Sequence, residues 1–176
     1  MTIKKSLTYL LVSILFLQIF SSCNVDPKEK LAEQIENTEK QLFENNSGVI
    51  DAKEAANMIN LYTSFTNQYP EDERAASFLF KAADISINVF HSPKTIELFD
   101  QVITNYPDFE KTPQALFLKA FTYENYLNDI EKAKATYELF LKKYPEHSFA
   151  NDAQVSLKNL GKSPEEIIKA FNEANN

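Results

Sequence analysis

The chain has 176 residues, enough for one domain, and 44% of them are apolar, enough for a packed core. Two glycines and no tryptophan, against 14 Phe and 8 Tyr, exclude a turn-rich all-β fold and suit stacked helices. The formal charge of −7 becomes −9 once Lys4 and Lys5 leave with an export signal. That excess of acid excludes nucleic acid and an electrostatic hold on an anionic membrane surface.

The chain opens as an export signal. Lys4 and Lys5 form a positive start, Leu7 to Phe20 is a mainly apolar run broken by Ser13 and Gln18, and the small residues Ser21 and Ser22 precede Cys23. The apolar run is too short for a membrane-spanning helix, which needs about 20 residues. Phe20-Ser21-Ser22-Cys23 resembles the lipobox of bacterial lipoproteins, with Phe20 in place of the commoner Leu. The resemblance implies a signal peptide over residues 1–22, cleavage before Cys23 and a thioether-linked lipid on its sulfur. Two or three acyl chains would anchor the protein firmly, since each buried CH₂ contributes about 0.8 kcal/mol. Residues 23–26 would be the lipidated cysteine and a short tether. Asn24 after the cysteine, rather than Asp, implies the outer membrane, on its periplasmic side.

Proline and capping residues punctuate the rest. Asp26-Pro27, Ser92-Pro93, Thr112-Pro113 and Ser163-Pro164 read as helix starts, a side-chain oxygen capping the first turn and Pro losing no needed donor. Ser163 with Glu166 has the capping-box pattern. Tyr69-Pro70, Tyr106-Pro107 and Tyr144-Pro145 read as helix ends. The predicted helices are 27–44, 51–68, 75–90, 93–105, 113–127, 129–143, 148–160 and 164–174. Apolar spacing agrees: Leu31, Ile35 and Leu42 share one face, as do Ala55, Ile59, Tyr62 and Phe65. His91 and His147, with no flanking Cys or His, read as residues at helix ends rather than metal ligands. One cysteine cannot form an internal disulfide.

The three Tyr-Pro pairs recur at nearly constant spacing, and the last two copies align without gaps. Phe78-Leu79-Phe80-Lys81-Ala82 matches Leu116-Phe117-Leu118-Lys119-Ala120, and Phe99, Val102 and Ile103 match Tyr137, Phe140 and Leu141. Two helices per unit at such a period signal a solenoid in which stacking completes each unit's core. The chain here resembles the tetratricopeptide repeat. Ala120, Tyr123, Ala133, Tyr137 and Pro145 occupy the family's small, aromatic and proline places in the third copy; Phe140 stands where a small residue is usual. In the second copy Thr95 and Ile85 replace an alanine and a tyrosine, and the first copy matches mainly in its second helix. The wording of residues 133–145 is similar to repeats of envelope proteins, among them the lipoprotein of the outer-membrane β-barrel assembly machine and the repeat protein of the Tol-Pal system.

The resemblance implies an all-α, right-handed helical solenoid of about three helix pairs over residues 27–176. The repeats would span about 27–70, 71–107 and 108–145, with capping helices over 147–176. It also implies a groove lined by the first helix of each pair, holding a partner protein or peptide. Carried over by position, the partner-binding residues are Leu79, Ala83, Gln114, Phe117, Phe121 and Glu124, with Ala76 and Ser86 beside them. Leu79, Phe117 and Phe121 would form an apolar strip edged by Glu124; the alternative is that the aromatics are core. The expected function is a membrane-anchored binding scaffold of the bacterial envelope. A structural accessory docking through its convex face or end helices is the alternative. No nucleophile elbow, phosphate cradle or metal motif is present, so neither catalysis nor a cofactor nor a metal is expected. Asn45-Asn46-Ser47 matches a glycosylation pattern and reads as a turn.

Overall fold

The computed structural model describes residues 26–45 and 50–174. The expected export signal, Cys23 and its expected tether up to residue 25, and Asn46 and Ser47, read from the sequence as a turn, lie outside the described residues. Among the described residues eight helices follow in order: α1 (Pro27–Asn45), α2 (Ala52–Gln68), α3 (Ala75–Val89), α4 (Pro93–Asn105), α5 (Thr112–Asn125), α6 (Ile130–Lys143), α7 (Ala150–Asn159) and α8 (Pro164–Ala174). From α1 to α7 each helix packs on the next. The result is an all-α array of sequential helix pairs, α1–α2, α3–α4 and α5–α6, with α7 stacked against α6.

The repeat is visible in the backbone itself. Tyr69, Tyr106 and Tyr144 end α2, α4 and α6 with nearly the same dihedrals, φ −134°, −129° and −133° with ψ 59°, 59° and 54°. Each donates its N–H to the carbonyl four residues back, on Phe65, Val102 and Phe140. Each tyrosine carbonyl then accepts the N–H of the residue three places on, Asp72, Phe109 or His147. Those residues in turn accept from Ala75, Thr112 and Ala150. Proline follows each tyrosine and has no N–H to offer, so the chain cannot continue the helix and turns into the next pair.

Two of the four expected proline-linked caps form. Asp26 accepts the N–H of Lys28 at 3.0 Å, and Ser163 and Glu166 exchange both bonds of a capping box. Ser92 makes no side-chain cap. Thr112 is the first residue of α5, not its cap, and its hydroxyl donates to the Tyr106 carbonyl at 2.6 Å. Asp51 and Glu54 supply a capping box for α2 that no proline marked.

Two apolar clusters fill the array, bridged by Ile103. The first joins α1 to α5 through Ile35, Met58, Tyr62, Phe65, Leu79 and Phe99. The second joins α5 to α7 through Leu116, Ala120, Ala133, Tyr137, Phe140 and Ala153. The alanines at α5–α6, Ala120 and Ala133, are fully buried and let the two backbones approach. At the place equivalent to Ala133 the second pair has Thr95. Its buried hydroxyl pairs with that of Ser86 at 2.7 Å, so the substitution leaves no polar atom unsatisfied. Of the two expected capping helices, α7 covers the end of the stack. α8 has no comparable contact with any described helix, and Ile168 on it is 61% exposed.

Candidate protein-binding groove

The residues carried over by position do not form one accessible strip. Leu79 and Ala83 are 1% and 0% exposed and belong to the first core cluster, so neither is open to a partner. They face inward because α3 is packed between α2 and α4. Ser86 is buried as well, held by Thr95. Phe117 is partly buried in an aromatic cluster, stacked on Phe149 at 4.8 Å and set against Tyr137 and Phe140 at 5.7 Å each. Phe149 arrives on the turn into α7, so the end of the stack occupies the ring face that the apolar strip required. Phe121 is half-buried with its ring edge on Tyr126. Gln114 is half-buried in the first turn of α5.

Glu124 is half-buried and accepts the Tyr137 hydroxyl at 2.7 Å. Burial first, and then the bond to Glu124, push the Tyr137 phenol well above its usual range, so it stays a neutral donor. Glu124 lines a pocket at the other end of α5 with Asn128, Ile130, Gly161 and Ile167. Ala76 lines a different one, between the Tyr-Pro turns. The two histidines sit at helix ends. His91, at φ 47°, stacks on Tyr126 at 4.0 Å, and His147 Nδ1 accepts the Phe149 N–H at 3.2 Å. Among the described residues, no group of three or more His, Cys, Asp or Glu could hold a metal ion, and no helix is long and apolar enough to cross a membrane.

The open groove lies elsewhere, between α1 and α3, the first helices of adjacent pairs. It is a cleft of about 530 Å³ with Ala32, Ile35 and Phe78 among its lining and Glu29, Glu33, Glu36 and Glu39 along one wall. Those glutamates are spaced by four, three and three residues, which puts all of them on one face of α1. The chain's single arginine, Arg74, closes one end of the opposite wall. Its guanidinium makes two bonds to Glu29, both 2.9 Å, and two to Asp72, at 2.7 and 2.9 Å. It also lies over the Phe65 ring, 5.1 Å from the centroid. A planar fork can bridge two carboxylates in this way; a lysine cannot. Lys28 adds a contact to Asp72 at 3.1 Å. The Arg74 hydrogen bonds chiefly, with Lys28 assisting, hold the Asp72 carboxyl well below the usual carboxylate range. At the other end Glu39 accepts from the Tyr62 hydroxyl and from Lys81 at 2.7 Å.

The fixed ends leave the middle of the wall different. Glu33 and Glu36 are exposed and have no cationic partner among the described residues. The sequence reading passed over this wall. Its signal was present as four glutamates at helical spacing, but acidic residues on a first helix also read as an ordinary solvated face.

Against known families, residues 114–147 match the tetratricopeptide repeat. That stretch runs from the third residue of α5, through all of α6, to the turn into α7, and so covers one helix pair. The all-helical array carries a tetratricopeptide motif in its third pair, and a tetratricopeptide domain is typically a protein–protein interaction scaffold. Tetratricopeptide scaffolds are generally non-enzymatic, and no catalytic family is detected. No curated protein matches the chain.

Proposed function

We propose that the protein is a membrane-anchored binding scaffold of the bacterial cell envelope, non-catalytic, that holds another envelope protein or peptide segment in the groove between its first helices. One observation carries the reading: an array with a tetratricopeptide motif leaves an open cleft between α1 and α3, while the equivalent surface at α5 is filled by Phe149. On this reading recognition centres on the N-terminal pairs rather than on Phe117, whose ring Phe149 covers. The anchor rests on the sequence alone: Cys23 at the lipobox position, with Asn24 favouring the outer membrane and a periplasmic domain. A tether of a few residues, at about 3.3–3.6 Å each, would hold α1 and its cleft close to the bilayer.

The reading is tested by in-cell photocrosslinking from position 32, in the cleft, with position 138 on α6 as an exposed control. A specific adduct from 32 and none from 138 is the expected result, and Cys23→Ser should release the protein from membranes or leave it unprocessed. A second reading draws on α8, whose Ile168 is exposed on a helix outside the stack. Docking through this end helix makes the protein a structural accessory. Deletion of residues 162–176 would then abolish assembly while leaving the adduct at 32 unchanged.

A further inference from the structure

We infer that the occupant of the α1–α3 cleft is a segment of a partner protein that alternates cationic and small apolar residues. This rests on the reading of the cleft as the binding groove. The floor sets the apolar part: Ala32 and Phe78, both partly exposed above the buried Ile35, offer a surface for side chains without charge. The wall sets the cationic part. Arg74 and Lys81, the cations at its two ends, are already committed to Glu29 with Asp72 and to Glu39. Glu33 and Glu36 between them are one helical turn apart, so their carboxylates repel each other, and neither has an ion pair among the described residues.

The same imbalance continues across the start of α3. The neighbouring cleft between the Tyr-Pro turns contains Glu71, Asp72, Glu73 and Asp108 and no basic residue. Of these only Asp72 is ion-paired, to Arg74 and Lys28. This surface therefore carries five carboxylates without an ion pair, Glu33, Glu36, Glu71, Glu73 and Asp108, beside the paired Glu29, Asp72 and Glu39. A Lys- or Arg-bearing segment gains steering from these carboxylates and contact from the floor. A divalent metal is a poor guest, because the carboxylates are strung along a helix and a turn rather than gathered around one point. An acidic peptide would meet like charge at Glu33 and Glu36.

The experiment uses the full-length chain and two fluorescein-labelled nonapeptides, three Lys-Ala-Val repeats and, as the charge-reversed control, three Glu-Ala-Val repeats, with fluorescence anisotropy as the readout. The lysine peptide should bind and the glutamate peptide should not. Glu33→Gln with Glu36→Gln should weaken binding about tenfold, the loss of two charge pairs in a half-enclosed cleft. The control pair Glu131→Gln with Glu138→Gln, the same charge change on the exposed face of α6, should weaken it less than about twofold. Equal losses from the two pairs, binding of both peptides, or binding of neither overturns the inference. The adduct from position 32 separates this from the groove reading. If it persists unchanged with Glu33→Gln and Glu36→Gln, the groove is used and its charge is not. If no adduct forms at 32, the groove reading itself fails.

Discussion

The two ends of the array are joined by different chemistry on the same backbone repeat. At the first Tyr-Pro turn the third residue after the tyrosine is Asp72, which ties α1 to α3 through Arg74, Lys28 and Glu29. At the second it is Phe109, whose ring packs on Phe80. At the third it is His147, set among Phe140 and Phe149. The turn geometry is common to all three. What changes is whether the seam closes by ion pairs between partly exposed groups or by aromatic burial. Ion pairs hold two helices together without filling the space between them, so the α1–α3 seam keeps a cleft. Aromatic rings fill their seam, so α5 to α7 keeps none at Phe117. The cleft and the electrostatic seam are one feature seen from two sides.

The strongest test of this contrast is Phe140→Ala. Phe140 is fully buried among Phe117, Tyr144 and His147, and truncating a core Phe costs about 3–5 kcal/mol. The melting temperature should fall steeply, and amide exchange should speed most in α5, α6 and α7. Loss of protection centred instead on α1 and α2 would contradict the division into two seams.

A smaller effect is expected at the charged end. Asp72→Asn should lower stability at neutral pH by about 1 kcal/mol, since Arg74 and Lys28 are about one-third exposed and screened by water. The sign with pH follows from the direction of the shift. A carboxyl held below its ordinary value of about 4 contributes its full stabilisation above that value and loses it as pH falls toward the folded-state value. The wild type should therefore lose stability below about pH 4 more steeply than Asp72→Asn, measured by chemical denaturation at pH 7, 4 and 3. Parallel curves would show that Asp72 is not ion-paired in solution.

The smallest expected effect is that of salt. Raising ionic strength from about 0.1 to 1 M shortens the screening length from about 10 to 3 Å. Amide exchange in α1 should quicken by no more than about threefold, with α6 unchanged. Equal sensitivity of the two helices would remove the distinction.

What the sequence determined by itself was local and periodic. Each Tyr-Pro ends a helix because proline lacks an N–H and disfavours helical geometry before it. The predicted starts at Pro93 and Pro164 coincide with those of α4 and α8. Spacing alone exposed the repeat, since each pair buries the same face. The tertiary structure decided which side chains remain accessible. Leu79 and Ala83 on α3 and Phe117 on α5 read as one groove by position, yet neighbouring elements cover them: α3 is held between α2 and α4, and Phe149 folds back on α5. The cleft beside Glu33 and Glu36 depends on Arg74 reaching a carboxylate 45 positions earlier in the chain. Periodicity reports the face a helix buries against its own partner. It carries no information about contacts between distant segments, and those contacts set where the surface stays open.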